Sequence, residues 1–174
     1  MTRWTIREWI AVNALAVAGA ICAGSILASS QGRIVNVVRP DVVEAVRWSQ
    51  SLAEIVAQNG RVWMFMFVGT VSFGAAGLSV LLSNGFRFGM DMAALILSAP
   101  TELRFLLPHG VLEFAALTVG AASCQYIGCV LFGTLTKDPA ANPIREGVLA
   151  FGWSCVLGLM AALVETASHV MRLT

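Results

Sequence analysis

Two pairs of histidine and glutamate residues are the side chains of this sequence best suited to acid–base chemistry. His109 and Glu113 are four residues apart, and Glu165 and His169 repeat that spacing in the reverse order. Four residues make about one turn of an α-helix, so each pair lies on one helical face with its members about 6 Å apart. Because histidine titrates near neutral pH, such a pair is able to exchange protons.

Three interpretations of these pairs remain open. The first is structural, in which each Glu and His hydrogen-bonds a neighbour or a helix terminus and holds the helices together. The second is a proton or ion relay. The third is a metal site, because His and Glu one turn apart on two helices resemble the ligands of carboxylate-bridged bundles. Those bundles use more carboxylates than this chain offers, so we expect neither a metal nor a cofactor.

The elements that must position these residues are membrane-spanning helices. Apolar residues make up 57% of the 174 residues and charged residues only 12%, whereas a soluble domain carries about 25% charged residues. This composition excludes a soluble globular fold. The net charge of +1, without a basic run, also argues against nucleic acid as a partner.

The predicted fold class is all-α, a polytopic transmembrane helical bundle in a single membrane domain. Apolar runs long enough to cross a hydrocarbon core of about 30 Å occur at residues 9–29, 62–82, 111–132 and 148–170. A fifth segment, 92–107, is too short and too charged to span, and is predicted to be re-entrant or broken. Residues 41–58 follow Pro40 and have apolar positions at helical spacing, which predicts an amphipathic helix at the membrane interface.

Small residues recur every four positions within the predicted spans. Gly24 belongs to one such row, and Gly120 and Gly128 belong to another. In lipid, rows of this kind allow two helix backbones to approach closely. We therefore expect these three glycines at the closest helix contacts.

Two short motifs are typical of turns. Asn84-Gly85 begins a segment that runs to Gly89, and Asn-Gly favours a turn because both residues tolerate positive φ. Pro108-His109-Gly110 precedes the third run, where proline suits the first turn of a helix. The sequence thus predicts a turn after the second span and a break before the third.

The order of these motifs resembles the stage II sporulation protein M family, a domain of unknown function in bacteria and archaea. The resemblance covers the chain from about Leu52 to its end. The motif residues, in chain order, are Asn59, Asn84, Gly85, Gly89, Pro108, His109, Gly110, Glu113 and Glu165. The chain departs from the family pattern where Gly60 follows a single asparagine, and His169 has no counterpart.

The resemblance implies a non-enzymatic, multi-pass protein of the cell (inner) membrane. The sporulation member resembles an anchor and scaffold for peptidoglycan-degrading partners, so we expect lipid contacts together with protein partners or a homo-oligomer. Other members occur beside transporter ATPases. The alternative is therefore a permease-like transporter subunit, with an ATPase partner and a polar path along His109, Glu113 and Glu165. The spans contain no HExxH motif and no evident nucleophile, which argues against an enzyme.

Overall fold

A computed structural model describes residues 5–30, 52–133 and 142–173, with side chains described as far as Ser168. Five α-helices account for nearly all of these residues, and no β-strand occurs among them. In chain order they are α1 (Ile6–Ser30), α2 (Leu52–Val68), α3 (Ala75–Ser98), α4 (Leu103–Leu131) and α5 (Pro143–Leu173). Short 3₁₀ turns, Gly69–Ser72 and Pro100–Glu102, join α2 to α3 and α3 to α4.

The expected all-α bundle with four candidate spans is confirmed. Four segments are long and apolar enough to cross a membrane, namely Ile6–Ser30, Ala75–Ser98, Pro100–Leu131 and Pro143–Ser168. The α2 helix is not among these four segments. It has 17 residues, which make about 25 Å of helix, and it packs against α3, α4 and α5. Neighbouring contacts show that α1, α3 and α5 run in one direction and that α2 and α4 run in the other.

The span predicted at 62–82 is wrong, because the chain turns in its middle. Phe73 and Gly74 both have positive φ, 55° and 73°, and this left-handed pair ends the 3₁₀ turn that follows α2. A Cβ on Gly74 would lie 2.5 Å from Cγ of Gln125, so close packing against α4 also requires glycine here. The turn residues are themselves mostly apolar, and a hydropathy scan therefore merges the two helices.

The predicted short segment at 92–107 does not form a unit. Its first part completes α3, which ends at Ser98, and its last part begins α4 at Leu103. The expectation that no continuous helix runs through this stretch is confirmed, because Ala99 leaves helical geometry and Pro100 starts a 3₁₀ turn. Of the predicted interfacial helix at 41–58, residues 41–51 lie outside the described ranges, and 52–58 form the start of α2.

Both predicted turn motifs lie inside helices instead. Asn84, Gly85 and Gly89 are interior residues of α3, and Pro108-His109-Gly110 lies in the second turn of α4. The side chain of Asn84 donates to the carbonyl oxygen of Val80 at 2.9 Å, a bond back to its own helix that is compatible with an α-helical backbone. Turn propensity therefore yields to the packing of these helices.

The core of the bundle is α4. Every residue from Ala116 to Gly128 is buried except Val119, which is partly exposed. A Cβ on Gly120 would lie 2.7 Å from Oγ of Ser154, and one on Gly128 would lie 2.6 Å from the carbonyl oxygen of Thr70. The two glycines thus let α5 and the α2–α3 connection approach the backbone of α4. A helix covered on all sides explains why the apolar run of α4 has no polar face.

The pair formed by α1 and α3 is held by close backbone contact. A Cβ on Gly24 would overlap the carbonyl oxygen of Phe86, and one on Gly89 would overlap that of Ile21. The hydroxyl of Ser25 donates to the carbonyl oxygen of Gly89 at 2.9 Å. Because lipid gives no hydrophobic drive for helix association, close packing and polar bonds of this kind hold the pair together.

A buried amide pair joins α1 to α4. The Nδ2 atom of Asn13 donates to Oε1 of Gln125 at 2.6 Å and to the carbonyl oxygen of Trp9 at 2.8 Å. Asn13 is 1% exposed and Gln125 is 6% exposed. An unsatisfied amide in this environment is costly, so the bond fixes the register between the two helices.

The first prediction concerns the α1–α3 contact. Replacing Gly24 by Ala should destabilise the bundle by about 1–3 kcal/mol, because the added methyl meets backbone that cannot move aside easily. Gly152→Ala is the matched control, since a Cβ there meets nothing within 4 Å. Thermal unfolding in detergent measures both. Equal stability of the two variants would contradict the contact.

The second prediction concerns the amide pair. Asn13→Leu should lower the free energy of unfolding by about 0.5–2 kcal/mol, because it leaves Oε1 of Gln125 buried without its donor. A double-mutant cycle with Gln125→Leu should give a favourable coupling energy between the two positions. Additive effects of the two substitutions would show that the bond is not formed.

Candidate functional site

A small polar cavity lies where α2, α3, α4 and α5 meet. Its volume is about 50 Å³, and its wall includes both polar and apolar side chains. The lining residues are Gln58, Asn59, Val62, Trp63, Asn84, Glu113, Ala116, Leu117 and Gly158. Three residues singled out by the sequence, Asn59, Asn84 and Glu113, therefore come together from three different helices.

The helices present these polar groups in a defined way. Asn59 lies one turn before Trp63 on α2, and both contribute to the cavity wall. Asn84 uses one amide hydrogen for the carbonyl oxygen of Val80, which leaves its side-chain oxygen as an acceptor. The site thus offers amide donors and acceptors around the carboxyl group of Glu113.

The two glutamates of the motif lie close enough for their charges to interact across α4 and α5. Glu113 is half-buried and lines the cavity, whereas Glu165 is not part of the wall. Glu165 has interactions of its own with its surroundings. Two neighbouring carboxyl groups inside candidate spans need hydrogen-bond donors around them, or they must hold one proton between them.

His109 is engaged by its own helix. Its Nδ1 atom lies 2.9 Å from the carbonyl oxygen of Phe105, and since a carbonyl only accepts, Nδ1 must carry the hydrogen in this bond. His109 is not part of the cavity wall. The side chain of His169 lies beyond the described side chains, so its predicted pairing with Glu165 stays a prediction.

The glycines of the motif belong to packing surfaces rather than to the cavity. Gly85 and Gly89 face α1, where a Cβ on Gly85 would lie 2.8 Å from Cγ2 of Val17. Gly110 faces the ring of Phe88, at 2.7 Å from Cε2 by the same measure. That ring stacks edge-on against Phe114 at 4.9 Å between centroids. Within the Pro108-His109-Gly110 motif, Gly110 therefore shapes the contact between α3 and α4, one turn away from Glu113.

Sequence reasoning did not single out Trp63 and Gln58, two further members of the cavity wall. The Nε1 atom of Trp63 is buried and has no hydrogen-bond partner among the described residues. The indole ring lies directly over Gly158 of α5, where a Cβ would overlap it. The sequence signal that points to Trp63 is its position, because it lies four residues after Asn59 and therefore on the same helical face.

The chemistry open to this cavity is hydrogen bonding and proton exchange. Within residues 5–30, 52–133 and 142–168, no three His, Cys, Asp or Glu side chains are grouped so that they could hold a metal ion. A cavity of this volume has room for water, which would need two or more polar partners of the kind present here. Sites for drug-sized ligands are larger, at about 300–1,000 Å³.

Comparison with known proteins supports a family assignment for this chain. A protein of Methanocaldococcus jannaschii, described only as uncharacterized, is 26% identical over 118 residues. That alignment covers 64% of this chain and 66% of the relative, slightly less than two thirds of its length. No solved structure matches. The stage II sporulation protein M family matches residues 10–167, which include every residue of the cavity wall, and the chain therefore belongs to that family.

Proposed function

We propose that this protein is a non-enzymatic scaffold or assembly subunit of a complex in the cell membrane. The observation that carries the proposal is the cavity at Glu113, which is small and is lined by Trp63 and Leu117 as well as by its polar side chains. Its polar side chains come from three helices, and Gly158 of a fourth completes its wall. In this role the side chains around the cavity hold the four helices in one arrangement, to which a partner binds.

The contacts around the cavity support a structural role for its polar groups. Asn84 bonds to its own helix, as His109 does one turn before Glu113. Ser154 of α5 donates to the carbonyl oxygen of Ala116 at 2.8 Å, directly beside the cavity. The Ser154 bond holds α5 against α4, while the bonds within α3 and α4 fix the side chains of Asn84 and His109 in place. Fewer polar groups are then available to bind a solute that moves through the bundle.

A permease-like subunit with an ATPase partner is the alternative. The observation that favours it is an ionisable group, Glu113, at a polar cavity within a candidate span. Such residues often mark a substrate or ion pathway. The cavity volume of about 50 Å³ would have to increase for any solute larger than water or a small ion.

The third prediction separates the two functions by substitutions at Glu113. In a scaffold, Glu113→Gln should preserve stability and recovery of the partner, because the amide still donates and accepts hydrogen bonds. Glu113→Ala should lower both, since it leaves the amides of Asn59 and Asn84 without their neighbour. The measurements are thermal unfolding in detergent and quantitative mass spectrometry of proteins that copurify from native membranes.

Glu8→Gln serves as the control, because its amide oxygen can still accept from the Thr5 N–H and this exposed residue lies in the first turn of α1, far along the chain from the cavity. It should copurify with partners as the unsubstituted chain does. A Glu113→Gln protein that assembles fully but loses its biological activity would contradict the scaffold and favour transport. A Glu113→Ala protein that both assembles fully and keeps its biological activity would show that Glu113 is not needed for either role.

A further inference from the structure

The outward face of α3 carries a polar stripe along a candidate membrane span. The stripe consists of exposed residues at every fourth position, namely Ser79, Ser83, Arg87 and Asp91. The opposite face of the same helix is buried and consists of Gly77, Leu81, Gly85, Gly89 and Ala93. Small residues thus pack inside the bundle, while hydroxyl and charged groups point away from it.

This arrangement is the reverse of what contact with lipid favours. Arg87 lies near the middle of the 24 residues of α3, and an arginine at that depth is costly unless it is paired or reaches water. Asp91 follows one turn later, and its charge interacts with that of Arg87. Both residues nevertheless remain exposed, so neither charge is covered by the part of the chain that the structure describes.

The surface beside the stripe has room for another helix. Arg87, Ser79 and Ser83 border an open groove of about 750 Å³, whose far side is formed by the small residues Gly19, Ala20 and Ala23 of α1. A Cβ on Gly19 meets nothing within 4 Å. Two serines four residues apart form a small-residue pair of the type that permits close helix approach in membranes.

We propose that this face binds a second copy of the chain, with the α3 helices parallel about a two-fold axis normal to the membrane. Residues of the same number lie at the same height in such a pair, so each Arg87 reaches one turn along the interface to Asp91 of the other copy. The stripe carries one charge of each sign, so a two-fold contact forms two Arg87–Asp91 pairs between the copies. A partner helix with a single charge would leave one of them uncovered. This interface is separate from the cavity and goes beyond the scaffold role.

Exchange of the charges tests the proposal. Chains labelled with donor and acceptor fluorophores are reconstituted in phosphatidylcholine liposomes, and energy transfer is measured against the protein-to-lipid ratio. The unsubstituted chain should associate. Arg87→Glu alone and Asp91→Arg alone should each associate at least about tenfold more weakly, because each variant then presents only like charges to itself.

A mixture of the two variants provides the decisive comparison. In the mixed pair, acidic positions 87 and 91 of one chain face basic positions 87 and 91 of the other, so energy transfer should return to the level of the unsubstituted chain. Variants that each associate normally, or a mixture that stays dissociated, would overturn the proposal. Phosphatidylglycerol that copurifies with each chain from mixed-lipid liposomes is measured in parallel. If Arg87→Glu lowers this amount without changing energy transfer, the stripe binds anionic lipid and the proposal is overturned.

Thiol cross-linking tests the same interface without changing Arg87 or Asp91, so it remains informative if the charge variants fold poorly. In a background with the exposed Cys22 replaced by Ala, Ser83→Cys should form cross-linked dimers in the liposomes. Leu159→Cys, at an exposed position on α5, should remain at the level of the background alone. Equal cross-linking at the two positions would contradict an interface centred on α3.

Discussion

Close approach of helix backbones is the constraint on which the rest of this bundle depends. Gly24 and Gly89 join α1 to α3, while Gly120 and Gly128 let α5 and the α2–α3 connection reach α4. In lipid, the apolar surface of a helix gains little by leaving its solvent, so van der Waals contact and interhelical hydrogen bonds must supply the association energy. The buried bonds from Asn13 to Gln125 and from Ser154 to Ala116 follow from that closeness.

The same closeness gives the cavity its small size. Because Gly158 carries no side chain, the indole of Trp63 lies directly against α5, and this contact brings Asn59 on α2 to the level of Glu113 on α4. The polar groups are then near enough for a water molecule to bridge them. A wider bundle with the same residues would form a path instead of a junction.

Composition and helix length predicted much of the fold, because an apolar, weakly charged chain has few ways to satisfy its backbone in lipid. The boundaries were harder to predict. The turn at Gly69–Gly74 depends on positive φ at Phe73, a conformation that no local residue preference signals. Asn84-Gly85 has strong turn propensity, yet Gly85 is needed without a side chain against Val17, and this tertiary contact keeps it helical.

The candidate site was predicted in part for a related reason. Asn59, Asn84 and Glu113 were singled out through their order in the chain, and the structure places all three on one cavity. His109 lies four residues from Glu113 but bonds to Phe105, because equal helical spacing does not determine which neighbour a side chain chooses. Gln58 and Trp63 carry no motif, and only the packing of α2 against α5 reveals them.

The central claim is that the cavity is a junction between helices and not a path across the membrane. Accessibility of its inner wall tests this most directly. Leu117→Cys, on that wall, is treated with a membrane-impermeant thiol reagent added to either side of sealed vesicles, with the unsubstituted chain as background. The account predicts reaction from one side at most. Reaction of the same position from both sides would show a path through the bundle and contradict the account.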